Sequence, residues 1–248
     1  MINQVKFFLK DFVRVEDIPK LSISYYKPQI QEEHKEEIKK VCDPNRQQYN
    51  IYKSLKQQAK KFEGYYKEYL KLVDYELKKE SSSTISRQMQ DWNRAELNLL
   101  YQGSRDGFSA KNFHQLCDNQ GPTVAFVLSE YGQTFGGYTS VSWTSNNSQI
   151  GDSKAFLFQL NKKSVHPIGQ NFDYSVHHNP DYLITFGNGF DLFVYNQCDI
   201  NRSSYSQLGR TYSLPLGYVY DSQESNRYLA GEQSFRVLEI EVYSVQIT

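Results

Sequence analysis

The sequence predicts an α+β protein: a two-sheet antiparallel β-sandwich with flanking short helices, preceded by an N-terminal helical arm with coiled-coil-like heptads. Three observations carry that expectation. Before Glu80 apolar residues recur at alternating spacings of three and four, a helical seam. After Thr123 the pattern shortens to strand-like alternation between turn residues. Aromatics make up 15% of the chain, with 20 Tyr and 15 Phe, which suits pleated half-buried surfaces. The expected division is an arm over residues 1–83 and a sandwich domain over 84–248.

The arm reads as two helices. Pro28 suits a first helical position, and Ile30, His34, Ile38 and Val41 share a face until Asp43-Pro44-Asn45 breaks the pattern. A longer helix is expected from about Arg46 to Glu80. Its seam, Tyr52, Leu55, Ala59, Phe62, Tyr66, Tyr69 and Val73, suits either a coiled coil with a partner or packing on the chain itself. Tyr and Ala are poor dimer-core residues, and Gly64 weakens the helix by about 1 kcal/mol. Tyr52, Leu55, Phe62, Tyr66, Tyr69 and Val73 are therefore the candidate partner-binding residues. Lys53, Lys56, Lys60, Lys67 and Lys71 around them would steer the arm toward an acidic surface. Ser81-Ser82-Ser83-Thr84 ends the helix and reads as a linker.

Beyond the linker a short helix is expected over 88–97, with Met89, Trp92 and Leu97 inward. Ser109 can N-cap a second helix that Gly121-Pro122 stops. Strands are expected at TVAFVLSE, QTFGGY, KAFLFQL, YLITFG, FDLFVY, LGYVY and FRVLEIEVY. In the last, Leu238, Ile240 and Val242 face one way and Glu239, Glu241 and Tyr243 the other. Trp143, Phe156, Phe158 and Leu238 are the expected core.

Few residues suggest chemistry. His114 and Cys117 lie one helical turn apart, so an activated thiolate or two metal ligands can be imagined. Two ligands make an incomplete site, and the apolar neighbours Phe113 and Leu116 favour simple packing. Asp106 in Ser-Arg-Asp-Gly-Phe reads as a turn-fixing carboxylate beside Gly107. The glycines of FGGY and FGNG match no nucleotide-binding pattern, and His177-His178 reads as a loop. No catalytic, cofactor or metal site is expected.

Net charge is zero, but unevenly spread: 19 Lys+Arg against 14 Asp+Glu through Arg94, then 9 against 14. The acidic back half offers no phosphate footprint, which excludes nucleic acid as its expected partner. No apolar run reaches membrane-spanning length, and FFL near the start is too short for a signal peptide. Three widely spaced cysteines, Cys42, Cys117 and Cys198, argue against a disulfide framework and suit a reducing, cytoplasmic compartment.

Four ordered blocks stand out: SRDGFSAKNFHQLCDNQGPT at 104–123, FGGYTS at 135–140, DSKAFLFQL at 152–160 and FGNGFDLFVY at 186–195. Together they resemble the TLDc domain of the oxidation-resistance proteins, from roughly Thr84 to Thr248. The resemblance implies a β-sandwich with flanking helices, no agreed catalytic site, and a link to oxidative-stress resistance. It also implies docking on the peripheral stalk and catalytic head of the vacuolar proton-pumping ATPase. Two other readings stand beside this non-enzymatic adaptor. One is a structural component of a ciliary axoneme, with the arm on tubulin. The other is a redox-active domain using Cys117. The adaptor would work in the cytoplasm, at a membrane only through its partner complex, or in the cilium.

Overall fold

The computed structural model describes residues 44–247, with side chains from Lys53 onward. The helix expected over 28–41, Cys42 and the Tyr52 side chain lie outside the described residues. Two compact units divide at Gly64, and the second, Tyr65–Thr248, holds the sheets.

Helix α1 runs Pro44–Leu77, close to the expected 46–80. Ser83 caps a short helix α2, Thr84–Gln88, by accepting from the Ser86 N–H at 3.2 Å. A 3-10 turn at Trp92–Arg94 then leads into strand β1, Ala95–Gln102. The helix expected over 88–97 is thus a correction. Leu97 lies on a strand because its segment pairs antiparallel with the chain's last strand, and tertiary pairing overrides local propensity. Helix α3 is Gly103–Asp106, and α4, Ala110–Cys117, has Ser109 as its N-cap as expected.

The remaining strands are β2 Thr123–Ser129, β3 Thr134–Thr139, β4 Ser148–Ile150, β5 Phe156–Gln159, β6 Ser164–Pro167, β7 Val176–His178, β8 Tyr182–Phe186, β9 Leu192–Tyr195, β10 Ser204–Ser206, β11 Ser234–Phe235 and β12 Val237–Ile247. Helix α5, Gln223–Asn226, precedes the last two. They form two six-stranded antiparallel sheets, ordered β1-β12-β2-β3-β5-β6 and β11-β10-β9-β8-β7-β4. The expected strand at LGYVY is instead an irregular segment with Leu216 fully exposed. His177-His178, read as a loop, belongs to β7.

Between the sheets lies an apolar core that includes Ala125, Val127, Phe135, Leu157, Phe186, Leu192, Ile240 and Val242. Trp143 is in it as expected, its indole N–H donating to Thr123 Oγ1 at 2.8 Å. Phe156, Phe158 and Leu238 are buried but not there. A bulge between Val237 and Glu239 displaces Leu238 from the alternation. Phe158 meets Phe126 at 5.5 Å on the opposite face of the first sheet, and Phe156 stacks on Tyr138 at 5.2 Å. That face carries a second buried layer, and what covers it positions the candidate site.

Candidate docking surface

The cover is the last part of α1. Tyr69 and Val73 are 0% and 1% exposed, and the Tyr69 hydroxyl donates to the Phe126 carbonyl at 3.3 Å. Tyr65 lies so close to Gly132 that a Cβ there would sit 2.5 Å from its ring. Gly132 also turns the β2–β3 hairpin at φ +75°, so it answers two demands at once. Burial, then the nearby Glu241 and Glu239 carboxylates, push the Tyr69 hydroxyl's pKa well up, so it stays a neutral donor.

The next seam position after Val73 is Glu76, 2% exposed. Its carboxylate accepts from the Thr84 and Ile85 N–H groups, both at 2.9 Å, and its carbonyl accepts from the Trp92 indole N–H at 3.0 Å. An anion on the free N–H groups of a helix start is favourable on both hydrogen-bonding and dipole grounds. The serine-rich segment is therefore no linker: Ser83 and Thr84 are buried in this clasp. A charged residue on an apolar seam was its sequence signal.

The candidate docking residues thus divide. Tyr69 and Val73 are core of the sheet-bearing unit. Tyr66 is half-buried and stacks on Tyr69 at 6.1 Å. Leu55 and Phe62, farther up α1, are half-buried, while Lys53, Lys56, Lys60, Lys67 and Lys71 are exposed. The compact unit begins at Tyr65, ahead of the boundary expected at 84.

A second layer of charge lies beneath the helix. Glu239 and Glu241 are 0% and 5% exposed on β12. Glu239 Oε1 accepts from the Ser104 and Ile240 N–H groups at 3.0 Å each, and Glu241 accepts from the Tyr243 hydroxyl at 2.7 Å. Burial raises Glu239 from 4.5 to about 7, against the pull of its Ser104 hydrogen bonds, and raises Glu241 as well.

The residues that hinted at chemistry are occupied elsewhere. His114 turns Nδ1 to Asp118 at 2.7 Å and Nε2 to the Asn179 and Tyr182 carbonyls at 3.0 and 2.9 Å. It ties α4 to β8 rather than serving Cys117. Cys117 is fully buried, and burial raises its thiol pKa, so the unreactive thiol form prevails. Asp106 accepts from the Gln102 N–H and chelates Arg105, whose charge holds its carboxyl below the usual range; Gly107 follows at φ +85°. In FGNGFD the working residue is Asp191, which accepts from the N–H groups of Gly209, Arg210, Thr211 and Tyr212 and fastens two loops together. Among the described residues no cluster of His, Cys, Asp and Glu is placed to hold a metal ion, and no helix is long and apolar enough to cross a membrane.

Two six-stranded sheets flanked by short helices, with the motif residues spent on tying loops, agree with a comparison against known families. Residues 71–246 match the TLDc domain. The chain belongs to the TLDc family. No curated protein matches it. The TLDc match begins inside α1, six residues after the compact unit starts, so the end of the helix is part of the domain by both criteria.

Proposed function

We propose that this TLDc protein is a non-enzymatic adaptor that docks on a large multiprotein assembly, with the vacuolar proton-pumping ATPase as leading candidate and a role in oxidative-stress resistance. The observation that carries the reading is the character of α1 before its compact unit: Leu55 and Phe62 with exposed Lys53, Lys56 and Lys60 beside them. Apolar anchors rimmed by cations suit an acidic protein surface, where aromatics supply contact energy and lysines speed encounter. Buried Cys117, with His114 engaged elsewhere, supports a binding role over a redox one. Proximity labelling or affinity purification from native cells tests it. Recovery of proton-pump stalk and head subunits is expected; recovery of axonemal tubulin instead would move the protein to the cytoskeleton.

A further inference from the structure

Glu239 and Glu241 lie two residues apart on β12, so they share the strand face that α1 covers. They are equipped differently. Glu241 accepts from the Tyr243 hydroxyl at 2.7 Å through Oε2 and from the Gln102 side-chain amide at 3.3 Å through Oε1. Both its oxygens therefore have donors. Glu239 accepts its two N–H groups through Oε1 alone, and its Oε2 is buried with no hydrogen-bond partner among the described residues. A buried ionised oxygen without a donor is costly. Glu241 is thus the member of the pair built to hold a charge, and Glu239 the member built to hold a proton.

The groups around the pair offer a second charge little relief. From α1 come the Tyr69 hydroxyl, which meets the Phe126 carbonyl opposite Glu241, and the Asp74 carboxylate, whose charge acts on Glu241 and Tyr243. From β2 the cross-strand neighbours are the uncharged Phe126 and Leu128. The Tyr101 hydroxyl of β1 and the Cys198 thiol after β9 also face Glu239, and burial keeps both protonated. Arg105 of α3 acts on both carboxylates as a cation, but Asp106 already holds its guanidinium at 2.7 and 2.8 Å.

We infer that this pair is a proton-operated latch on α1: with Glu239 protonated, residues 65–77 lie on the sheet, and when it ionises they lift while the sandwich stays folded. Ionisation sets two negative charges under Tyr69 and Asp74. The helix is the part that yields, because Tyr69, Val73 and the Glu76 clasp hold it, whereas hydrogen-bonded ladders hold the strands beneath. Burial places release of the Glu239 proton at about pH 7 in the closed form, against 4.5 once water reaches the carboxyl. The latch's contribution is therefore complete below pH 4.5 and lost as pH rises through 7. It concerns the contact of α1 with the sheet and stands whatever the first half of α1 binds.

Native-state hydrogen exchange of the full chain, corrected for the intrinsic pH dependence of amide exchange, tests it. Protection over residues 66–77 is expected to fall about tenfold between pH 6 and pH 8, while β8 and β9 keep their protection. Glu239→Gln is expected to abolish that fall. Glu241→Gln removes the neighbouring charge that holds the Glu239 proton on, so it is expected to move the fall to lower pH. Brief trypsin treatment at pH 8 is expected to cut at exposed Lys67 and Lys71 and leave the sandwich intact. Equal protection of residues 66–77 at pH 6 and pH 8, or an equal fall in Glu239→Gln, would overturn the inference. So would a parallel loss of protection in β8 and β9, which marks unfolding of the whole domain. If Glu239→Gln fails to fold, the direction of the Glu241→Gln shift decides.

Discussion

Residues 65–77 and 53–64 of helix α1 carry the same three-four spacing of apolar residues, yet they meet different fates. In the first stretch Tyr69 and Val73 are buried on the outer face of the first sheet, and Glu76 fastens the helix to the start of α2. In the second, Leu55 and Phe62 are half-buried and lysines fill the positions between. Periodicity establishes that a helix has an apolar face; it does not say what covers that face. Here the cover is decided by the sheet. Phe126, Phe158 and Tyr243 give it a second apolar face, and Gly132 admits the Tyr65 ring.

The largest expected effect falls on the covered stretch. Tyr69→Ala or Phe158→Ala removes a fully buried ring from the layer between helix and sheet and should cost about 3–5 kcal/mol, read by urea denaturation. A parent-like midpoint for either would mean that layer is not core. Glu76→Ala strips two buried N–H groups of their acceptor and should cost about 2–3 kcal/mol. Glu76→Gln, which keeps one acceptor, should recover part of the loss.

A further effect, on the order of 3 kcal/mol, should appear as pH dependence. Glu239 holds its proton up to about pH 7 when folded and releases it near 4.5 when unfolded, so its share of stability is present below pH 4.5 and lost as pH rises through 7. Glu239→Gln should therefore change the melting temperature least at pH 4 and raise it at pH 8. Equal shifts at both pH values would show that the carboxyl does not titrate there.

Strands rich in apolar and β-branched residues between turn residues, such as β2, β3 and β12, and the Ser109-capped α4 were legible because local pattern and tertiary role agree. The face of β5 was not. Phe156 and Phe158 alternate with Leu157, and when both faces of a strand are buried, composition cannot tell which is the sandwich interior. Strand β1 reads as helix locally and owes its form to pairing with residues some 145 positions away, such as Leu97 with Val245. Of the candidate site, the spacing located the seam but not its division. Glu76, the one charge to continue the seam, marks where the helix turns from sheet cover to clasp.

The most direct test of that division is a matched pair of variants assayed for both stability and partner recovery. Leu55→Ser with Phe62→Ser should release the protein from its native assembly while leaving the melting temperature within the small range typical of sites outside the core. Tyr69→Ser should lower the melting temperature sharply. A Leu55/Phe62 variant that co-purifies with its assembly at parental yield would contradict the account and move the docking surface onto the sandwich.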